Sequence, residues 1–322
     1  MTTGEHRCLF SAPFDFLGDS LRGEYARWIP TEFREVWRVD DLTANQGVTA
    51  WVPNPGQHFV IDARVLALFP KLQVVVTPST GRNHIDREAC SRRGVAVYSL
   101  LDDRETLESI SASAEFSFLL LLNALRRLDI GLQAVSSGRW RAREEELRGY
   151  ELAGKQVGVV GLGRIGRRLA RYCGAFDAQV AYHDPFVTDP VLPAWPLEQV
   201  FAEADIVCVC CSLTPDTTNL VNGGLLRRLR PNAVLVNTAR GEVIAEHDLA
   251  AVLRERGDIR VALDVLAGEV SDTHLTSPLM PFYESGRIVI TPHMAGVTRE
   301  SQTKAARGAL RLLHRHLGVV AA

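Results

Sequence analysis

The sequence predicts an α/β protein built from two doubly wound parallel sheets, and three observations carry that expectation. Between residues 8 and 100, short apolar runs such as "GVTAWV", "LQVVVTPS" and "GVAVYSL" alternate with helix-like stretches. A second series starts at "KQVGVV" and contains six strand-like runs with helical segments between them. The chain has 322 residues, a length that favours two domains over one. Such alternation builds parallel sheets with covering helices, whose strands are apolar on both faces.

The elements follow in order. After the first series, the polar segment "LLDDRETLESISASAEF" reads as a boundary or hinge. Ser111 or Ser113 is available near the start of the apolar helix that follows, "FSFLLLLNALRRL". "KQVGVV" is then a strand, and "RIGRRLARYCGAF" a helix with Ile165, Leu169 and Cys173 on its apolar face. "AQVAYHDPF" is a strand, "LEQVFAEA" a helix, "DIVCVCCSL" a strand and "GGLLRRL" a short helix. "AVLVNTA", "RVALDVL" and "RIVITPH" are strands, with the helix "HDLAAVLRE" after the first of them. "RESQTKAARGALRLLHRHLG" is a long amphipathic helix expected to cover whichever domain the chain re-enters, and no regulatory domain is expected after it.

Composition excludes several classes of function. Apolar residues make up 46% and charged residues 23%, enough for a substantial core. The net charge is −2, from 36 basic and 38 acidic residues, so no field favours nucleic acid or an anionic membrane. The most apolar run is too short to span a bilayer and ends in arginines. No apolar leader of signal-peptide form stands at the N-terminus. Three of six cysteines crowd into "DIVCVCCSL", a poor disulfide framework and not a zinc spacing. Buried thiols, no metal and a reduced cytoplasm are therefore expected.

"VGVVGLGRIG" carries Gly161, Gly163 and Gly166 between a strand and a helix. Gly161 permits a tight turn, Gly163 the approach of a pyrophosphate, and Gly166 the packing of helix on strand. The helix N-terminus supplies N–H groups and partial positive charge. Asp184 follows Gly166 by 18 residues at the end of the next strand. A carboxylate there accepts hydrogen bonds from adenosine ribose hydroxyls and repels a 2′-phosphate, which favours NAD over NADP.

Reduction of a 2-oxo acid by hydride requires a cation for the carboxylate and carbonyl, an acid for the developing alkoxide, and a partner that keeps the acid charged. Candidates lie at strand ends in the second series: Arg240 in "VNTARGEV", Asp264 and Glu269 in "ALDVLAGEV", and His293 in "TPHMAG". Arg240 suits a carboxylate because its planar fork binds bidentately.

Taken together, "VGVVGLGRIG", "YHDP", "VNTARG", "ALDV…E" and "TPHMAG" resemble the D-isomer-specific 2-hydroxyacid dehydrogenase family over about residues 70–300, with weaker likeness at "STGRNHID", "ASAEF", "SGRW" and "LTPDTTNLV". The resemblance implies two Rossmann-like domains with the active site in the cleft between them. Residues 1–105 with 297–322 would form a flavodoxin-like substrate domain, and 106–296 the NAD domain. It implies His293 as acid/base, Glu269 as the partner that favours its charged form, and Arg240 as the ligand of substrate carboxylate and carbonyl. It places Asp264 near the nicotinamide carboxamide and gives the substrate carboxylate the backbone N–H groups of Thr80 and Gly81. Arg164, Ile165, Thr217, Thr238, Ala239 and Gly296 complete the cofactor set. A small 2-oxo or 2-hydroxy acid is the implied substrate and a homodimer, joined partly through the "AEFSFLLLL" helix, the implied assembly.

Several residues depart from the family pattern. Val270 follows Glu269 where the family has proline, and Cys210 and Ser212 replace histidine and proline. Arg82 stands where a small apolar residue is usual, and a cation beside the carboxylate-binding turn suggests a substrate with a second anionic group. The alternatives are an NAD-responsive scaffold or corepressor on this fold, and a formate or phosphite dehydrogenase relative. Joint presence of Arg240, Glu269 and His293 favours catalysis.

Overall fold

The computed structural model describes residues 6–318 apart from 142 and 272. Its contacts divide the chain into two compact units: Met1–Ile110 with Glu269–Asp272 and Val297–Ala322, and Ser111–Gly268 with Thr273–Gly296.

The first unit holds a five-stranded sheet of β1 (Cys8–Phe10), β2 (Thr31–Phe33), β3 (Ala50–Val52), β4 (Val74–Thr77) and β5 (Ala96–Ser99). The order is β2-β1-β3-β4-β5 and every pairing is parallel, the flavodoxin-like doubly wound arrangement. Period-two alternation sends successive side chains to opposite faces. Phe10, Val52, Val74 and Val76 pack on one face, Leu9, Trp51 and Val75 on the other, and all are buried. β2 is the edge strand and β1 lies between it and β3, each only three residues long.

The helix Arg299–Leu317 covers the first of these faces through Ala306, Ala309, Leu310 and Leu313. Thr298 caps it, its side chain accepting from the N–H of Ser301. Two polar contacts fix its register. The Tyr25 hydroxyl donates to the Ala306 carbonyl at 2.7 Å, and Arg311 grips Asp103 at 2.8 and 3.1 Å.

The second unit holds β6 (Gln156–Val160), β7 (Gln179–His183), β8 (Ile206–Val209), β9 (Val234–Asn237), β10 (Arg260–Leu263) and β11 (Ile288–Ile290). Their order is β11-β10-β9-β8-β6-β7, again wholly parallel. Val160, Val207, Val209, Leu235, Val261 and Leu263 face one core, and Val157, Val159, Cys208, Val236 and Ala262 the other. Gly158 lets the helix Leu197–Glu203 close onto β6, because a Cβ there would stand 2.6 Å from Val200 Cγ1. The six strands match the six strand-like runs of the sequence, although "DIVCVCCSL" is strand only over Ile206–Val209 and "GGLLRRL" helix only over Gly223–Leu226.

The cysteines are free thiols. Burial pushes Cys173 up to about 12 and Cys211 up to about 11, so neither is a thiolate near neutral pH. No described helix is long and apolar enough to cross a membrane. The apolar helix is Ala112–Arg126, and Ser111 sits at its N-cap with its hydroxyl donating to Glu115 at 2.5 Å rather than accepting from the backbone.

Arg311→Met tests the docking of the last helix. Burial pushes the Asp103 carboxyl up, but hydrogen bonds from Thr106 and the Arg311 guanidinium outweigh it and hold Asp103 below its usual value. A depressed carboxylate stabilises the fold above its unfolded value of ~3.9, and that stabilisation is lost as pH falls through the lower folded value. Denaturant unfolding at pH 7 should show the variant less stable by about 1 kcal/mol. The deficit should shrink as pH is lowered below about 4, since protonated Asp103 gains little from the cation.

Candidate active site

The site grows from the register of the second sheet. His183, Val160, Val209, Asn237, Leu263 and Ile290 are pairing partners in succession, so one row crosses β7, β6, β8, β9, β10 and β11. Every strand is parallel, so the residue after each member of this row leaves the same edge of the sheet. Gly161, Asp184, Thr238, Asp264 and Thr291 are those residues at five of the six strands, and Arg240 and His293 follow within two more. Neighbouring strands lie about 4.8 Å apart, so β6 and β9 to β11 are separated by roughly 10–20 Å along the edge.

At the β6 end the turn has the shape of a phosphate cradle. Gly161 has φ +95°, and a Cβ would lie 2.6 Å from the Cys211 backbone nitrogen. Gly166 abuts the same turn, where a Cβ would stand 2.1 Å from the Gly161 carbonyl oxygen. Gly163 is the N-cap of the helix Arg164–Ala175, no side chain caps it, and the space where its Cβ would stand is open. That combination leaves room for a phosphate at a helix N-terminus. Arg164 and Ile165 open this helix, both half-buried, while Gly166, Leu169, Ala170 and Cys173 are its buried face.

Asp184 ties the two strand ends together. Its carboxylate accepts from Leu162 N at 2.8 Å, Phe186 N at 2.9 Å and Val187 N at 3.1 Å. A carboxylate has about four acceptor positions, so these bonds fix its orientation and leave acceptor capacity for a ribose hydroxyl. Thr217 closes the loop beyond β8. Its hydroxyl donates to the Ser212 carbonyl at 2.7 Å and accepts from Thr214 N at 2.7 Å.

Asn237, the buried last residue of β9, builds the turn that carries Arg240. Its amide accepts from Ala239 N and donates to the Arg240 carbonyl, both at 2.9 Å. Thr238 is buried and its hydroxyl shares a 2.5 Å hydrogen bond with Ser117 of the helix Ala112–Arg126. Arg240 is half-buried, and its Nη1 donates to the Ala239 carbonyl at 2.6 Å. Gly241 allows the β9 loop to pass against the β10 loop, since a Cβ would overlap Leu266 at 1.9 Å.

Asp264 is wholly buried and does for His293 what Asn237 does for Arg240. Its carboxylate accepts from the Thr291 hydroxyl at 2.5 Å, Met294 N at 2.9 Å and Ala295 N at 2.8 Å, while its carbonyl accepts from His293 N at 2.8 Å. Burial nevertheless pushes its carboxyl above the usual aspartate value. His293 sits at the apex of the turn, exposed and left-handed at φ +51°. That conformation costs a non-glycine residue of order 1 kcal/mol or more, and the Asp264 bonds hold it in place. Gly296 ends the turn and is exposed, its absent Cβ lying 3.9 Å from Ser113 Oγ.

Glu269 lies in the turn after Gly268, which has φ +80°. The preceding segment is anchored by Glu246, a nearly buried carboxylate that accepts from Ala267 N at 2.7 Å and the Ser277 hydroxyl at 2.5 Å. In the first unit, Thr80 and Gly81 follow β4. The Thr77 and Ser79 hydroxyls lie 3.0 Å apart, and Ser79 donates to the Gly81 carbonyl at 3.0 Å. Among the described residues the N–H groups of Thr80 and Gly81 donate to no other group, as an anion-binding turn requires. Arg82 donates from Nε to Ser99 at 2.8 Å and pairs with Asp102 at 2.5 Å.

Sequence reading missed four residues that position this edge: Ser117, Asn237, Glu246 and Thr291. Asn237 and Thr291 stand inside the motifs "VNTARG" and "TPHMAG", and a polar residue ending an apolar strand was the available signal. Nothing local marks Glu246 or Ser117, whose partners on this edge, Ala267 and Thr238, lie 21 and 121 positions away.

A phosphate-shaped glycine turn and an Arg–Asp–His series on one edge of a doubly wound sheet define a dinucleotide-dependent oxidoreductase type of domain. The profile described as "D-isomer specific 2-hydroxyacid dehydrogenase, NAD binding domain" matches residues 118–295. The chain is 31% identical over 297 residues to a glyoxylate reductase of Pyrococcus furiosus, covering 88% of this chain and 83% of that one. It is 34% identical over 252 residues to the D-3-phosphoglycerate dehydrogenase of Mycobacterium bovis, covering 76% of this chain and 45% of that one, so it spans less than half of that relative's length. Among solved structures, the TT0316 protein of Thermus thermophilus superposes with a TM-score of 0.81 at 28% identity, covering 98% of both chains. The chain belongs to the D-isomer-specific 2-hydroxyacid dehydrogenase family, and its second unit carries that family's NAD-binding domain.

Two substitutions test the positioning described here. Asp264→Asn turns one carboxylate oxygen into an amide that faces the Ala295 N–H donor to donor. Thermal unfolding should show a loss of about 1–3 kcal/mol, the magnitude of a spoiled buried hydrogen bond. Gly241→Ala should destabilise by about 1–3 kcal/mol through overpacking. An unchanged unfolding midpoint in either variant contradicts the bracing roles assigned to these positions.

Proposed function

We propose that the protein is an NAD-dependent D-2-hydroxyacid dehydrogenase that interconverts a small 2-oxo acid and its 2-hydroxy acid. The observation that carries this reading is the braced left-handed turn presenting His293 on the same sheet edge as Arg240 and the glycine cradle. When bound, the nicotinamide supplies or receives the hydride at C2 of the substrate. Arg240 binds the substrate carboxylate and polarises its carbonyl, a task suited to a guanidinium fork. The Thr80 and Gly81 N–H groups donate to the same carboxylate. His293 carries on a ring nitrogen the proton given to the developing alkoxide, and takes it back in the oxidation. Glu269 is the proposed partner of the imidazole. Asp264 holds the His293 turn and stands beside the carboxamide position.

Asp184 supports preference for NAD over NADP, since its carboxylate is held at the end of β7 by three backbone donors and repels a 2′-phosphate. Thr217, Thr238, Ala239 and Gly296 line the remainder of the cofactor path. Leu128, Leu132 and Val135 are 51%, 64% and 56% exposed on one side of the helix Leu128–Ser136. That apolar stripe supports a homodimer joined beside the 112–126 helix. Arg82 is engaged by Asp102 and Ser99, so a second anionic group on the substrate would share Arg82 with that pair. Arg82→Ala assayed on monoanionic and dianionic 2-oxo acids separates the cases: a selective loss on dianions supports contact, and an equal effect contradicts it.

The deciding assay is NADH oxidation over 2-oxo acids with neutral, carboxylate, phosphate and phosphonate tails. His293→Ala should lower kcat on the best substrate at least about 100-fold, the lower range for removal of a general acid. Tight NADH binding with no turnover across the whole panel would instead support a scaffold role. For cofactor choice, Asp184→Ser should raise KM for NADH and narrow its advantage over NADPH; an unchanged ratio removes Asp184 from the discrimination.

A further inference from the structure

A second concave site lies at the opposite end of the six-stranded sheet. It is a cavity of about 500 Å³ walled by Arg127, Arg139, Arg260 and Arg287, with Glu146 and Asp258 as its two carboxylates. Arg260 begins β10, and Arg287 and Asn232 come one and two residues before β11 and β9. These strands end at Leu263, Ile290 and Asn237, where the candidate active site begins. A four-residue strand spans roughly 13 Å, so the two sites are at opposite edges of the sheet.

The charge of this cavity is not balanced from within. Glu146 is taken by Arg139 at 2.8 Å and also pairs with Arg143. Asp258 is held by Arg256 in a two-pronged contact at 2.9 and 2.8 Å and accepts from Asn232 N at 2.9 Å. Among the described residues Arg127, Arg260 and Arg287 form no ion pair with a carboxylate, although the charge of Asp129 acts on Arg260. Arg260 donates to the carbonyls of Ala124 and Leu125, both at 3.1 Å, and lies 5.0 Å from the centre of the Tyr150 ring. Arg287 donates to the carbonyls of Leu253 and Arg256 at 3.0 and 3.1 Å. Among the described residues no hydrogen bond or ion pair holds the Arg127 guanidinium. Burial lowers the proton affinity of Arg260, and repulsion from Arg127 lowers it further. The backbone at Arg127 is left-handed, φ +54°, where the helix Ala112–Arg126 ends and Leu128–Ser136 begins.

We propose that this cavity binds a small polyanion, with Arg127, Arg260 and Arg287 as its ligands. A phosphorylated metabolite and a polycarboxylate share the required chemistry, since guanidinium forks accept either. The volume suits a small metabolite, and the polar arginine-lined wall suits a highly charged one. Ile130 and Gln133 line the cavity from the helix Leu128–Ser136, on the side opposite Leu128, Leu132 and Val135. Pairing of two chains through that apolar stripe therefore leaves these two lining positions on the other face. The binding site does not depend on the proposed activity.

The test is calorimetric titration of the full-length protein, saturated with NADH, with inorganic pyrophosphate and in parallel with citrate. Saturable binding of at least one anion is expected. Arg127→Ala should weaken it at least about 10-fold, with NADH oxidation unchanged in the absence of the anion. Arg240→Ala should bind as the wild type does, which separates this cavity from the active site. Gln133→Glu supplies an independent variant, placing a negative charge in the wall without disturbing an arginine, and should weaken binding as strongly. Binding of pyrophosphate alone assigns phosphate chemistry, and binding of citrate alone assigns polycarboxylates. Absence of saturable binding of both anions overturns the proposal, as does wild-type affinity in both Arg127→Ala and Gln133→Glu.

Discussion

The candidate-site edge of the second unit depends on the register of six parallel strands. His183, Val160, Val209, Asn237, Leu263 and Ile290 are aligned by backbone pairing, and each strand delivers its next residue to the same edge. A slip of one residue in any strand would turn its buried side chains to the opposite face and withdraw its contribution. The apolar cores on both faces resist that slip. Val159 and Val160, for example, are both almost fully buried but pack in different cores. The strongest term in the fold, burial of valine, leucine and isoleucine, thereby also sets the positions of the polar residues beyond the strands.

Register alone does not aim a side chain. That work falls to a set of buried or half-buried polar groups that shape the turns. Asn237 folds the turn that presents Arg240, Asp264 folds the turn that presents His293, Asp184 ties the glycine turn to the end of β7, and Glu246 anchors the segment before Glu269. Each uses a side chain to satisfy backbone N–H groups that leave the sheet without a ladder partner. Arg82 and Asp102 act similarly beside the turn of Thr80 and Gly81, bridging through Ser99.

Much of this was legible in the sequence, and the reasons are specific. The strand-like runs from "KQVGVV" to "RIVITPH" are buried on both faces, so they read as continuous apolar stretches bounded by polar motifs. Gly161, Gly166 and Gly241 stand where a Cβ would collide with backbone atoms, and the first two belong to a spacing that can be recognised. The sequence does not single out β1 and β2, of three residues each, although it does single out the equally short β3 and β11 within "GVTAWV" and "RIVITPH". Glu246 looks like an ordinary first-turn acid of a helix, and only folding brings Ala267 and Ser277 to it. Arg82 looked like a free cation beside an anion-binding turn, and its partner Asp102 lies 20 positions away. Nothing local in the sequence marks Arg127 and Arg260, and only the meeting of strand starts with the end of the 112–126 helix gathers them around one cavity.

We propose direct hydride transfer at C2 on this sheet edge. Isotope transfer from NADH deuterated on the transferable C4 position tests it most directly. With the best 2-oxo acid, the expected product is a D-configured 2-hydroxy acid carrying one deuterium at C2. Product lacking that deuterium, or of the opposite configuration, would contradict it.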